Sequence, residues 1–586
     1  MRKGKFARTA VAAIVIAALA TLSLPTSQAD NIVDEQIGRL APPTTDAGWI
    51  GADVDDSNTM IFPSIMYAGT APQVLAGGGQ ICTSVTSGPC ADKSNIATFN
   101  MYLPQCTSDT QADCIESLQA INPDGSVSQG ALKSYFPAET SPSFVGDPDQ
   151  GVPNGWNPSL WNFPGVSHAG GNDFLVAAQV LTFDAPMTKL DDHLELEVAI
   201  YPVSEKPTQD SYYAPFNSSS TRTGWQINND ACPLFLGDHQ CATAWPFPSG
   251  VKFQATIRTS GPISGWVHGR LDQPNISYSS FGTNGTRVQV TAGSEVVPVF
   301  ASWQKFATLP SDFQDFLLSL SDPQKGKLYA PGGNWQNYWD GTGVAPYTKL
   351  SVEHDLDNYD DVNFKEFQYF LGLSNNTAIA NKSQWAFYTG FTGNRSSDGE
   401  YWNRCNLSTT GIDGVVTTNS TMYLDAPPTY NPATQSLDYQ VSSPHFDRNG
   451  QPNVGHYDLL INSQVARCVY GLTSAPVKAN VQIVNSDGTT QVATSILSES
   501  NGWLHLSVSG FGYSAPTLKV KLTQDSPTPA PSASPSPTPS PSVSATPSPS
   551  PSPKSPKKVT ITCVKGKSSK SVSSANPVCP SGYKRK

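Results

Sequence analysis

VKFQATIRT, residues 251–259, decides what kind of chain this is. Val251, Phe253, Ala255 and Ile257 alternate with Lys252, Gln254, Thr256 and Arg258, and a period of two puts the apolar set on one face of a β-strand. The pattern spreads both ways. Upstream, HLELEVAIY at 193–201 sets Leu194, Leu196, Val198 and Ile200 against Glu195 and Glu197, while FLVAAQVLTF at 174–183 is an apolar run suited to a buried strand. Downstream come GWVHGR at 265–270 and RVQVTAGSEVVPVF at 287–300. Many short strands punctuated by Gly and Pro predict a mainly β fold built of antiparallel, sandwich-like domains.

Outward from this β-rich region, 171–305, the chain divides by composition. Residues 30–170 are irregular, with turn formers breaking every apolar run. Residues 306–395 form a partly helical insertion: Phe313, Phe316, Leu317 and Leu320 follow Ser311 at helical spacing, with Ser311 as the expected N-cap, and 363–373 reads as a second helix. Strands return over 396–525, with 456–472 among the candidates, and end in a four-stranded module whose Asp487-Gly488 and Asn501-Gly502 steps signal hairpins. Residues 526–556, SPTPAPSASPSPTPSPSVSATPSPSPSPKSP, have Pro at nearly every second position and nothing to bury, so they read as a disordered spacer. A basic tail with two cysteines, 557–586, follows it.

The N-terminus has the order of a secretory leader. Arg2, Lys3, Lys5 and Arg8 precede an apolar run at 9–24, then Pro25 and the small-residue site Ser27-Gln28-Ala29, which predicts a signal peptide over 1–29. No second long apolar run follows, so no transmembrane segment is expected after cleavage. Ten cysteines suit an oxidising destination. Eight lie in close pairs, Cys82 with Cys90, Cys106 with Cys114, Cys232 with Cys241 and Cys563 with Cys579, leaving Cys405 and Cys468 for each other. Five such bridges are the simplest solution, although spacing leaves the connectivity open.

Charge is divided sharply along the chain. There are 36 Lys plus Arg against 47 Asp plus Glu, yet no acidic residue follows Asp525, while nine basic ones do. Without those nine and the four in the leader, 23 basic residues face all 47 acidic ones, so the body stands near −24 and the tail near +9. The tail's Lys557, Lys558, Lys565, Lys567, Lys570, Lys584, Arg585 and Lys586 are therefore expected to contact anionic cell-wall polymers. Nothing in the pattern points to a specific nucleic acid.

Candidate chemistry is sparse. Asp355 and Asp357, with Asp360, Asp361 and Glu366, approach a calcium loop but put Tyr359 and Asp360 where an oxygen ligand and a Gly belong. His445-Phe-Asp447 and His456-Tyr-Asp458 repeat one His-x-Asp spacing. A hairpin centred near Gln451-Pro452 would set His445 opposite Asp458 and Asp447 opposite His456, a candidate metal site, whereas a turn at Asn449-Gly450 would misalign them. Gly165-Val-Ser167-His168-Ala169 lacks the strand and helix of a nucleophile elbow, and Trp156, Trp161 and Phe163 read as packing aromatics before a sugar platform. No zincin, phosphate-loop or dinucleotide motif occurs, so the sequence assigns no catalytic residue and no cofactor.

The tail ITCVKGKSSKSVSSANPVCPSGYKRK resembles a short C-terminal module of secreted actinobacterial proteins, and GWVHGR, VARCVYGL and GWLHLSVSGF resemble parts of a family of large exported proteins from the same bacteria. That resemblance implies a source and a location, and transfers no activity. The sequence thus leads to the expectation of a non-enzymatic cell-envelope or surface protein, an acidic body displayed on the spacer with its tail on the wall. The alternative is a secreted glycan-active enzyme or carbohydrate-binding protein, since carboxylates from distant strands need no local motif.

Overall fold

The computed structural model describes residues 33–37, 43, 48–55, 64–74, 79–190, 194–206, 241–322, 327–330, 334–337, 352–356, 361–390, 404–405, 411–423, 427–473, 476–485, 488–491, 494–513, 517–524, 559–565, 568–574, 578–580 and 583–585. It divides into two units, Met1–Asp525 and Ser526–Lys586.

The first unit is mainly β. The strands that matter for the site are β1 (Ile96–Tyr102), β2 (Cys114–Ile121), β3 (Asp173–Pro186), β4 (Glu195–Lys206), β5 (Lys252–Arg258), β6 (Gly265–Phe281), β7 (Gly285–Lys305), β8 (Ala380–Gly390), β9 (Ile412–Thr418), β10 (Gly455–Asn462), β11 (Thr494–Ser500) and β12 (Trp503–Phe511). Their hydrogen bonds run β1–β3–β4–β8–β6–β9–β10–β12–β11 in one path and β2–β5–β7–β6 in another. The long strand β6 belongs to both paths, and the long strand β7 also pairs with β8 of the first. Most pairings are antiparallel, but β6 runs parallel to β9, and Trp49–Val54 runs parallel to Val352–Asp355. The sheet is therefore mixed where the alternation alone suggested antiparallel.

One core lies against both paths. Phe253, Ala255 and Ile257 of β5 are buried with Val176, Ala178 and Val180 of β3, Leu196, Val198 and Ile200 of β4, and Trp385 and Phe387 of β8. Phe163, Phe174 and Phe247 pack edge-on or tilted against Phe253, with ring centroids 5.4–5.5 Å from it. Trp161 and Phe163 are core residues, and Trp156 stacks on Tyr135. Two helices, α1 (Ser311–Ser319) and α2 (Asp361–Leu373), close a separate cluster of Phe300, Phe313, Phe367 and Phe370. Pro310 rather than Ser311 holds the cap position of α1: its extended backbone precedes a helix that begins at Ser311, one residue earlier than the Ser signal suggests.

The region 456–472 is not one strand. β10 ends at Asn462, whose side chain accepts from Gln464 N, and a helix over Ser463–Tyr470 follows and stops at Gly471 with φ 64°. Asn as N-cap and Gly in the left-handed conformation are paired helix boundaries. The Asn501-Gly502 turn joins β11 to β12, with φ 52° and 82° at its two residues. Lys478–Val484 and Thr517–Thr523 pair with each other, and the latter pairs with Ser436–Ser442.

Disulfides join Cys82–Cys90, Cys106–Cys114, Cys405–Cys468 and Cys563–Cys579. Cys232 lies outside the described residues, so its expected bridge to Cys241 does too. In the second unit, Val559–Lys565 pairs with Ser568–Ser574 and Lys584–Arg585, and Lys570, Lys584 and Arg585 are exposed. Lys557, Lys558, Lys567 and Lys586 lie outside the described residues. Among the described residues no helix is long and apolar enough to cross a membrane.

Candidate functional site

Strand β7 changes partners in mid-course. Ser294 is its last residue paired with β6, at Leu271, and Glu295 is its first paired with β8, at Gln384. Just across the ladder, β6 breaks register between Asp272 and Asn275, and Gln273 takes a positive φ of 48°. Asp272 sits opposite Gly293, where a Cβ would stand 3.1 Å from its Oδ2, so the glycine makes room for the carboxylate. On β10, Tyr457, Leu459 and Ile461 face a core, and the alternation turns His456 and Asp458 to the other face. Asp458 lies opposite Ser507 of β12, and His505 follows one step along the same face.

These elements bring four groups together. One ligating atom from each of Asp272, Glu295, His456 and Asp458 lies within 4.8 Å of all the others. His456 Nδ1 donates to Glu295 Oε1 at 2.5 Å and stands 3.8 Å from Asp272 Oδ1. Its Nε2 faces Asp458 Oδ2 at 3.4 Å and Ser507 Oγ at 3.4 Å. Asp458 is fully buried; its Oδ1 accepts from His505 Nε2 at 3.0 Å and its Oδ2 from the Gln273 amide at 3.0 Å. Glu295 is also buried, whereas the Asp272 and His505 side chains, 37 % and 28 % exposed, reach solvent. The backbone of His456 is anchored through its amide to Asn419 Oδ1, which also accepts from the Tyr513 hydroxyl.

Burial, and after it the neighbouring charges, set the protonation. Burial pushes the Glu295 carboxyl above its usual range, the His456 contact partly offsets that, and the charges of Asp272 and Asp458 add to it. Asp272 is raised for the same first reason, burial. Burial alone would lower His456, but the hydrogen bond and charge of Glu295, with the charges of Asp458 and Asp272, push it up to about 9. A serine beside a histidine beside a glutamate has the order of a nucleophilic triad, yet an imidazole held charged in this way is no base for Ser507.

Of the residues singled out in the sequence, His456 and Asp458 belong to this centre. His445 and Asp447 do not join it, because the loop turns at Gly450: the Gln451 amide returns to Asp447 Oδ1 and the Asn453 amide to the His445 carbonyl. Asp355 ends a strand, Glu366 is buried in α2, and Asp357 lies outside the described residues. Asp272 and Glu295 were missed. The signal was there for Glu295, an acid placed in step with Val297 and Val299 on a buried face.

The expectation of a non-enzymatic display protein fails on this geometry, and with it the leaning against an enzyme. Three carboxylates gathered around one imidazole, two of them buried, cost desolvation and mutual repulsion that a passive scaffold has no reason to carry. The chain matches no family model, no curated protein and no solved structure.

Proposed function

We propose that this protein is a secreted glycan-active enzyme, a hydrolase whose catalytic centre is the Asp272–Glu295–His456–Asp458 cluster. The observation that carries the reading is the convergence of these four side chains, from three strands, with Asp272 at the solvent edge. Hydrolysis of a glycosidic bond needs a proton donor and a proton acceptor within reach of one substrate, and a carboxyl–imidazole cluster with one open side offers both. His505 at the rim holds Asp458 in place from the solvent side.

The leader, the Pro-rich spacer and the cationic tail support a place outside the cell, with the tail on anionic wall polymers and the body held among wall glycans. The resemblance to exported actinobacterial proteins supports the same location, and the alternating strands support a sandwich arrangement for the body.

The test is turnover. Mature full-length protein is incubated with a panel of wall-derived and other polysaccharides, and new reducing ends are measured beside an Asp458→Asn variant of equal secondary structure. Release from at least one glycan, lost in the variant, is the expected result. Equal release by both, or none across the panel, rejects the reading.

A further inference from the structure

The same cluster has the donor set and the unmet charge of a cation site. Glu295 is 7 % exposed at its side chain and hydrogen-bonds through Oε1 to His456, while its Oε2 accepts from no protein donor among the described residues. A buried carboxylate has about four lone-pair positions to fill. The same side chain meets Asp272 and Asp458 around His456, one ligating atom of each lying within 4.8 Å of the others. Three carboxylates therefore meet one imidazole, and that imbalance is met either by protons or by a bound cation.

We infer that Asp272, Glu295, His456 and Asp458 bind one divalent transition-metal cation of the Mn²⁺ or Zn²⁺ class. This rests on the same residues as the proposed hydrolase but is independent of its substrate. The present spacings to His456 Nδ1, 2.5 Å from Glu295 and 3.8 Å from Asp272, lie on both sides of what a cation requires, and Asp458, 3.4 Å from Nε2 of the same ring, has a ligating atom within 4.8 Å of those of the other three. Bonds of about 2.1 Å set neighbouring ligand atoms roughly 3.0–3.5 Å apart. The Glu295–His456 pair opens slightly and Asp272 closes slightly as the ion replaces the proton they share. An imidazole among oxygen donors selects against Ca²⁺ and Mg²⁺, which take oxygen ligands alone. His505 then acts as a positioning residue, holding the carboxylate of Asp458 from outside the ligand shell. Bound there, the cation supplies a polarised water beside the solvent-facing Asp272.

The experiment uses the mature full chain, stripped with chelator and titrated with Mn²⁺ by electron paramagnetic resonance and with Zn²⁺ by competition. One ion per chain is expected. Glu295→Gln and Asp272→Asn should each weaken uptake by more than the roughly 10- to 100-fold that loss of an outer partner costs, with His505→Gln inside that range. Asp272 lies at the rim, so its variant keeps the fold and remains informative if Glu295→Gln does not. No uptake by folded protein, equal uptake by wild type and Asp272→Asn, or Ca²⁺ binding with no Mn²⁺ or Zn²⁺ binding each overturns the inference. Turnover in excess chelator with no ion uptake defeats the cation and leaves the hydrolase standing. Uptake with no turnover on any glycan does the reverse.

Discussion

His505 Nε2 stands 3.0 Å from Asp458 Oδ1, and through that contact a fully buried carboxylate is reached from a side chain that solvent also touches. Asp458 is thereby gripped between two imidazoles on neighbouring strands, His456 on β10 and His505 on β12. Replacing His505 by Gln should cost about 1.5–3 kcal/mol of stability, the worth of a hydrogen bond to a charged group. Turnover should fall at least about tenfold at unchanged KM, as for loss of an outer partner at a site. Chemical denaturation and steady-state kinetics on the same preparation check both parts, and a variant with wild-type kcat contradicts the role.

Gly293 is the floor on which Asp272 rests. A Cβ there would stand 3.1 Å from Asp272 Oδ2 and 3.3 Å from its Cβ, so Gly293→Val must move that side chain. Because the displaced group is at the solvent edge, the melting temperature should shift little while turnover drops by about a hundredfold, in line with a misplacement near 1 Å. Thermal unfolding together with activity separates this from general damage, in which both would fall.

Glu116 is clamped by two arginines. Its Oε2 accepts from Arg258 Nε at 2.8 Å and Arg287 Nε at 2.6 Å, and its Oε1 from Arg287 Nη2 at 2.7 Å. The Arg287 hydrogen bond, followed by that of Arg258, holds this carboxyl below its ordinary range, with burial opposing. A lowered carboxyl stabilises the fold above its unfolded-state pKa, and that stabilisation is lost as pH falls through the folded value. Glu116→Gln should therefore lie about 1–3 kcal/mol below wild type at neutral pH. The gap should narrow once pH drops under about 4. Urea midpoints from pH 7 to pH 3 measure it, and a gap that widens on acidification contradicts the assignment.

Phe253 is fully buried at the meeting point of Phe163, Phe174 and Phe247. Phe253→Ala should cost about 3–5 kcal/mol, from lost transfer energy and the cavity left behind. Phe253→Leu should recover most of it. Equilibrium unfolding of both variants is the check, and equal losses would mean that ring packing is not what matters there.

Much of the fold was legible because it is written locally. Val251 to Ile257 alternate, and the strand they predict is β5, with Phe253, Ala255 and Ile257 all on the buried side. Asn501-Gly502 needs two positive φ angles in succession, which few residue pairs supply cheaply, and it makes the hairpin its identity suggests. The stretch 456–472 misled because Val465, Ala466 and Val469 are as apolar as strand residues, and the Asn462 cap and Gly471 stop that separate helix from strand were weaker than the apolar run. For the site, His456 and Asp458 could be found, since two positions apart on a strand means one face. His445 and Asp447 repeat the spacing but sit on a loop whose turn is centred at Gly450, and one turn of different placement is enough to take a residue out of register.

Composition and order along the chain determined by themselves a mainly β chain with an acidic body, a Pro-rich stretch and a cationic end, because each of those is a property of neighbours in sequence. Whether any chemistry resides in it was decided only by tertiary pairing. Glu295 and His456 are 161 positions apart, and they meet because β7 leaves β6 for β8 just where β10 turns its polar face toward it. No local pattern encodes that meeting: strand register over such distances is set by the whole core, and the same carboxylates one residue out of step would face apolar packing instead.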